Sequence, residues 1–271
     1  MSGGERSRGQ RERQHSGLRE ALSRFAVLAD GDDSLARRAR IRLRQWELLR
    51  QQNLETITAE ALSYVTDGGG SAAPDPDWLA QFLELAADIY SPPLQSLWAR
   101  ILVAEVNRPG SFTAKALGRL RQFTERDASL LRAALALRCR LGEGYGLQIL
   151  QGWGTPLAWW QVLTSKHAET SLSLARFGLP PSAVLALEDL GLLYTEEFAA
   201  GPFGPDDEIP LVITNQRWQL VPRRPATRLT YLRFTPVGEE LAQLLTSPAH
   251  PGYVAALREA LAASFELREP G

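Results

Sequence analysis

Residues 182–195 read SAVLALEDLGLLYT and residues 234–241 read FTPVGEEL, and the expected fold turns on these two stretches. The first predicts a helix from Ser182 to Leu190 that stops on Gly191, because a residue without Cβ tolerates a left-handed cap. Leu192 to Thr195 then reads as a strand. An acidic loop rich in glycine and proline follows, and further strands are expected at Ile209–Thr214, Trp218–Val221 and Leu229–Phe234. In the second stretch Thr235-Pro236 opens a helix through Leu245, and a last helix is expected from Tyr253 to Phe265. A short helical piece, Leu172–Phe177, and a turn at Gly178 precede Ser182, as in a helix-turn-helix. Helix, turn, helix, strands, helix is the order of a winged helix. Residues 166–271 are therefore expected to form a winged-helix-like α+β module.

Upstream of that module the patterns are helical. Leu35, Ala39, Leu43, Trp46, Leu49, Ile57, Ala61 and Val65 recur at helical spacing along one long helix. Arg37, Arg38, Arg40, Arg42 and Arg44 lie mostly off its stripe, and Gly68-Gly69-Gly70-Ser71 ends it as a flexible joint. Asp75-Pro76-Asp77-Trp78 opens the next helix, with a carboxylate at the cap and proline in the first turn. Ser91-Pro92-Pro93 starts another, which Asn107-Arg108-Pro109-Gly110 stops. Residues 113–123 make one more, and Thr124 with Asp127 offers a capping box for the helix through Cys139. The fold class expected is mainly α: a helical region over 18–141 and a glycine- and tryptophan-rich connector over 142–165, followed by the winged-helix-like module. Residues 1–17 read as a disordered, arginine-bearing tail.

Bulk properties narrow the function. The chain has 271 residues and a net charge of −1, so it is not a globally basic nucleic-acid binder. Charge comes in blocks, however. Residues 1–50 hold twelve arginines against seven acids, and residues 51–110 hold eight acids against two arginines. Such blocks suggest segments that dock on each other or on a charged partner. The one cysteine, Cys139, forms no internal disulfide, and the first residues lack the apolar core of an export signal, so a cytoplasmic protein is expected. Residues 144–165 are uncharged and carry Trp153, Trp159 and Trp160, yet glycine, proline and glutamine interrupt them. This segment reads as a buried inter-domain helix or a partner contact, not a membrane span.

Catalytic patterns are missing. His15, His167 and His250 stand apart from one another, and neither H-E-x-x-H nor C-x-x-C occurs. Gly142 to Gly154 is glycine-rich but lacks the Gly-Lys-Ser/Thr of a phosphate loop, so it reads as a hairpin or turn linking two subdomains. Asp206-Asp207-Glu208 reads as a solvated loop before it reads as a cation site. No cofactor, no metal and no enzymatic activity are expected. The remaining chemistry is basic: Arg217, Arg223, Arg224, Arg228 and Arg233 fall in the expected wing, where phosphate or nucleic-acid contact is conceivable. The helix that would enter a groove has no basic residue and carries Glu188 and Asp189. A protein partner therefore ranks above nucleic acid, and a DNA-binding regulator is the alternative.

Three stretches also carry a resemblance. They are Asp75-Pro76-Asp77-Trp78 with Leu79 and Phe82; Leu94-Gln95-Ser96-Leu97-Trp98-Ala99-Arg100-Ile101-Leu102 running into Glu105-Val106-Asn107-Arg108-Pro109-Gly110-Ser111-Phe112; and Phe177-Gly178-Leu179-Pro180 with Leu190-Gly191-Leu192. Together they resemble an uncharacterised bacterial family known only as a domain of unknown function. The central LWARIL…NRPGS element is also similar to the abortive phage infection (Abi-alpha) family. The resemblance implies a bacterial cytosolic protein and raises phage defence, without defining a reaction. Trp78, Trp98, Arg100, Pro109 and Gly110 are expected to be structural, with Arg100 paired to an acid of the helix that Asp75 caps.

Overall fold

The computed structural model describes residues 3–25, 34–65, 73–142, 146–154, 169–214, 216–245 and 247–268. Six helices come first: α1 (Gly3–Arg24), α2 (Leu35–Tyr64), α3 (Pro76–Ala86), α4 (Pro92–Asn107), α5 (Ala114–Leu120) and α6 (Glu125–Ala136). The chain then alternates. β1 (Arg140–Leu141), β2 (Gln148–Gly154) and β3 (Glu169–Ser171) precede a 3-10 turn at Leu174–Phe177 and α7 (Pro181–Asp189). β4 (Phe198–Phe203), β5 (Ile209–Ile213), β6 (Gln216–Pro222) and β7 (Thr227–Arg233) follow, then α8 (Pro236–Ala242), α9 (Pro251–Ala262) and β8 (Phe265–Arg268).

Local chemistry explains where most helices begin. The Ser34 side chain accepts from the Arg37 amide, and Asp75 accepts from the amides of Asp77 and Trp78. Thr124 and Asp127 form the expected reciprocal capping box. α1 begins at Gly3, inside the segment expected to be an unstructured tail. The expected glycine joint at 68–70 lies outside the described residues, as do Trp159, Trp160 and His167. Among the described residues no helix is long and apolar enough to cross a membrane.

The mainly α class is corrected. Among the described residues 54% are helical and 19% lie in strands. The strands build two four-stranded antiparallel sheets, in the orders β1-β5-β6-β8 and β3-β2-β7-β4. The protein is α+β. The carboxyl-terminal third is not a separate winged-helix-like module either, because β1 and β2 come from upstream of it and pair with β5 and β7. The correction turns on residues 148–154, expected within a hairpin or turn over 142–154 and a buried helix over 144–165. A short apolar run has no period that separates a buried strand from a buried helix, and this one is a strand covered on both faces. β4 arises inside the expected loop, and β8 follows the last helix, which was expected to reach Phe265. The strand expected at 192–195 shrinks to one bridge, Leu193 to Phe234. The amides of Leu192 and Leu193 turn back to the Leu187 carbonyl to finish α7, so they are not free for a ladder. One continuous core then runs from Ile57 on α2 to Phe265 on β8.

Candidate functional site

The residues of the LWARIL…NRPGSF stretch hold the helical half together. Trp98 is fully buried against Phe82, at 5.2 Å between ring centroids. Trp78 stacks on the same Phe82 and donates its indole Nε1–H to the Phe112 carbonyl at 2.7 Å. The turn after α4 needs Gly110, whose φ of +83° suits a residue without Cβ. That turn is clamped by Glu105, only 2% exposed, which accepts from the amides of Gly110 at 2.6 Å and Phe112 at 3.0 Å. Glu105 stands in the stretch that carries the resemblance, but the sequence assigned it no role. Its signal was an acid on the apolar side of α4, five residues before Gly110. Arg100 does not pair with an acid of α3: its guanidinium lies over the Tyr64 ring and donates to the Leu244 carbonyl.

The five arginines expected to share one wing are dispersed. Arg217 sits on β6, and Arg223 and Arg224 occupy the turn between β6 and β7. Arg228 and Arg233 both lie on β7, but an odd separation in sequence puts them on opposite faces of the sheet. Arg233 is packed over Tyr194 and Phe198, at 5.8 and 5.9 Å. Trp153, expected as a partner contact, is 2% exposed and pairs in register with the buried Leu229, so it belongs to the core. On the other face of β2 and β7, Gly152, Gly154 and Ala199 leave a shallow groove of about 580 Å³ beside Arg228 and Thr230.

A second depression, about 340 Å³, lies between the β1 edge of the other sheet and α8. Arg138, Arg140, Thr214, Glu239 and Gln243 line it. Arg138 is held by the carbonyls of Leu135 and Ser247, both at 2.8 Å. Burial and the neighbouring charge of Arg140 lower its pKa. Arg140 and Arg217 make no ion pair with described residues. Register aligns Arg140 with Val212 and Val212 with Arg217, so the two arginines share one face across three strands.

The most exposed apolar surface belongs to α2. Its second half buries Leu49, Asn53, Ile57 and Ala61 against the body, and Arg50 pairs with Asp88 at 3.2 Å where that contact begins. Leu35, Leu43 and Trp46 continue the same stripe outward at helical spacing, yet they are 74%, 55% and 44% exposed. The Arg42 guanidinium lies over the Trp46 ring at 5.7 Å.

The other polar candidates serve structure. Asp207 accepts from the Gly204 amide, and Glu208 pairs with Arg268 at 2.8 Å. His250 caps α9 by accepting from the Tyr253 amide. Cys139 is buried, and desolvation pushes its thiol up to about 12. Among the described residues no three His, Cys, Asp or Glu side chains converge as a metal-ligand set.

A family model described as "Protein of unknown function (DUF2806)" matches residues 37–258. No curated protein and no solved structure matches the chain.

Proposed function

We propose, for a chain that belongs to the DUF2806 family of proteins of unknown function, that it works as a non-enzymatic interaction protein which docks a protein partner along the outer half of α2. The observation that carries this reading is the apolar stripe of Leu35, Leu43 and Trp46, which runs on from a buried seam into solvent. Fourteen residues of helix, Leu35 to Leu48, span about 20 Å. Covering two leucines and a tryptophan is worth about 5 kcal/mol before the costs of association. Tryptophan and arginine are also the side chains that most often dominate binding. The arginines around the stripe favour an acidic rim on the partner and make association salt-sensitive.

Reading of a DNA groove is the weaker alternative. α7 ends on Glu188 and Asp189 and carries no basic residue, and the five carboxyl-terminal arginines do not act from one surface. A lone buried thiol favours the cytosol. On the resemblance of the LWARIL…NRPGS stretch to the Abi-alpha family, read from the sequence alone, we propose a setting in bacterial phage defence. Deleting the gene then changes phage plating, and unchanged plating across a broad panel counts against that setting.

The docking reading is tested by affinity capture of the wild type and of a Leu43→Glu, Trp46→Glu variant, each with and without nuclease. Both positions are exposed, so the variant keeps its fold. A partner retained by the wild type, lost by the variant and indifferent to nuclease is expected. Equal capture by both proteins, or loss on nuclease treatment, overturns it.

A further inference from the structure

We propose that the depression between β1 and α8 binds the anionic end of a diphosphate-bearing small molecule, held between Arg138 and Arg140 and extending towards Arg217. Two guanidinium groups flank one concave space, and Arg138 is already fixed by two backbone carbonyls. A pre-ordered arginine loses little freedom on binding, and its planar fork matches phosphate oxygens. Burial is the main cause that lowers the Arg138 pKa and the charge of Arg140 adds to it; that added repulsion between the two cations is what a bound anion would relieve. Thr214 adds a hydroxyl and Gln243 an amide as neutral donors. Among the described residues that line the depression, Glu239 is the one acid. It is already engaged, because its Oε1 accepts from the Leu147 amide at 3.0 Å.

The reach to Arg217 follows from sheet register. Arg140 aligns with Val212 and Val212 with Arg217. Two strand spacings put their Cα atoms about 10 Å apart. Both side chains are exposed, whereas the next residue on each strand, Leu141 or Trp218, is buried. One phosphate between Arg138 and Arg140 thus leaves a second within range of Arg217. A volume of about 340 Å³ suits a small molecule and sits at the low end for ligand pockets.

Sodium pyrophosphate, titrated into the full chain by calorimetry, is the probe. Saturable binding is expected below about 1 mM. Arg140→Gln weakens it about tenfold, the loss of one charge-assisted hydrogen bond. Arg217→Gln weakens it less, and Arg228→Gln, on the other sheet, leaves it unchanged. Absence of binding, an Arg140→Gln affinity equal to wild type, or an equal loss in Arg228→Gln overturns the site. A mixed-sequence DNA duplex added as competitor separates the sources of phosphate. Displacement of pyrophosphate by the duplex would overturn the assignment to a small molecule. Thermal denaturation of each variant accompanies the titrations, and because Arg140 and Arg217 are exposed and make no ion pair with described residues, unchanged melting is expected.

Discussion

Replacing Glu105 by alanine should unfasten the turn between α4 and α5. Its carboxylate is buried and accepts from two amides, those of Gly110 and Phe112. The Phe112 amide is itself buried, so it cannot turn to water when the carboxylate is gone. Hydrogen bonds to a charged group are each worth about 1.5–3 kcal/mol, and an orphaned buried donor costs about 1–3 kcal/mol. The Gly110 amide reaches solvent and recovers most of its share. The net loss is therefore about 3 kcal/mol, or roughly 10 °C in Tm for a chain of this size. The consequence spreads, because the Phe112 carbonyl also accepts the Trp78 indole and Trp78 stacks on Phe82. Glu105→Gln keeps one acceptor but turns a donor towards the second amide, so it recovers no more than half. Urea and thermal denaturation followed by tryptophan fluorescence would measure all three proteins. A Glu105→Ala midpoint within about 1 kcal/mol of wild type, or a Glu105→Gln protein as stable as wild type, would refute the clamp.

Two further outcomes follow from burial and close packing. The Cys139 thiol rises from an ordinary 9.0 to about 12 in the folded chain. Folding thus binds a proton, and the stability this supplies is complete below pH 9 and declines as pH rises towards 12, by about 1 kcal/mol per pH unit. Cys139→Ala should flatten that alkaline slope in urea titrations, and identical slopes would contradict the assignment. Gly238 packs so closely on the Leu192 carbonyl that a Cβ there meets backbone atoms. Gly238→Ala is expected to cost about 1–3 kcal/mol, although alanine is ordinarily the better helix former; a variant as stable as wild type in the same denaturation would show that the Leu192 backbone yields freely.

By itself the sequence determined the local events. Asp75 and the Thr124–Asp127 box start their helices as their spacing predicts, because a cap needs only partners two or three residues away. The strands β5 and β6 were legible for the same reason, since alternation is a relation between near neighbours in the chain. Membership of a family without an assigned function was also legible. Tertiary structure alone decided that residues 148–154 are a strand, because an apolar run becomes strand or helix according to what covers it. It also separated five arginines that are close in sequence, since strand alternation and a change of sheet send neighbours to different surfaces. The same rule brought Arg140 and Arg217 onto one face from 77 residues apart, a proximity created by β5 lying between them.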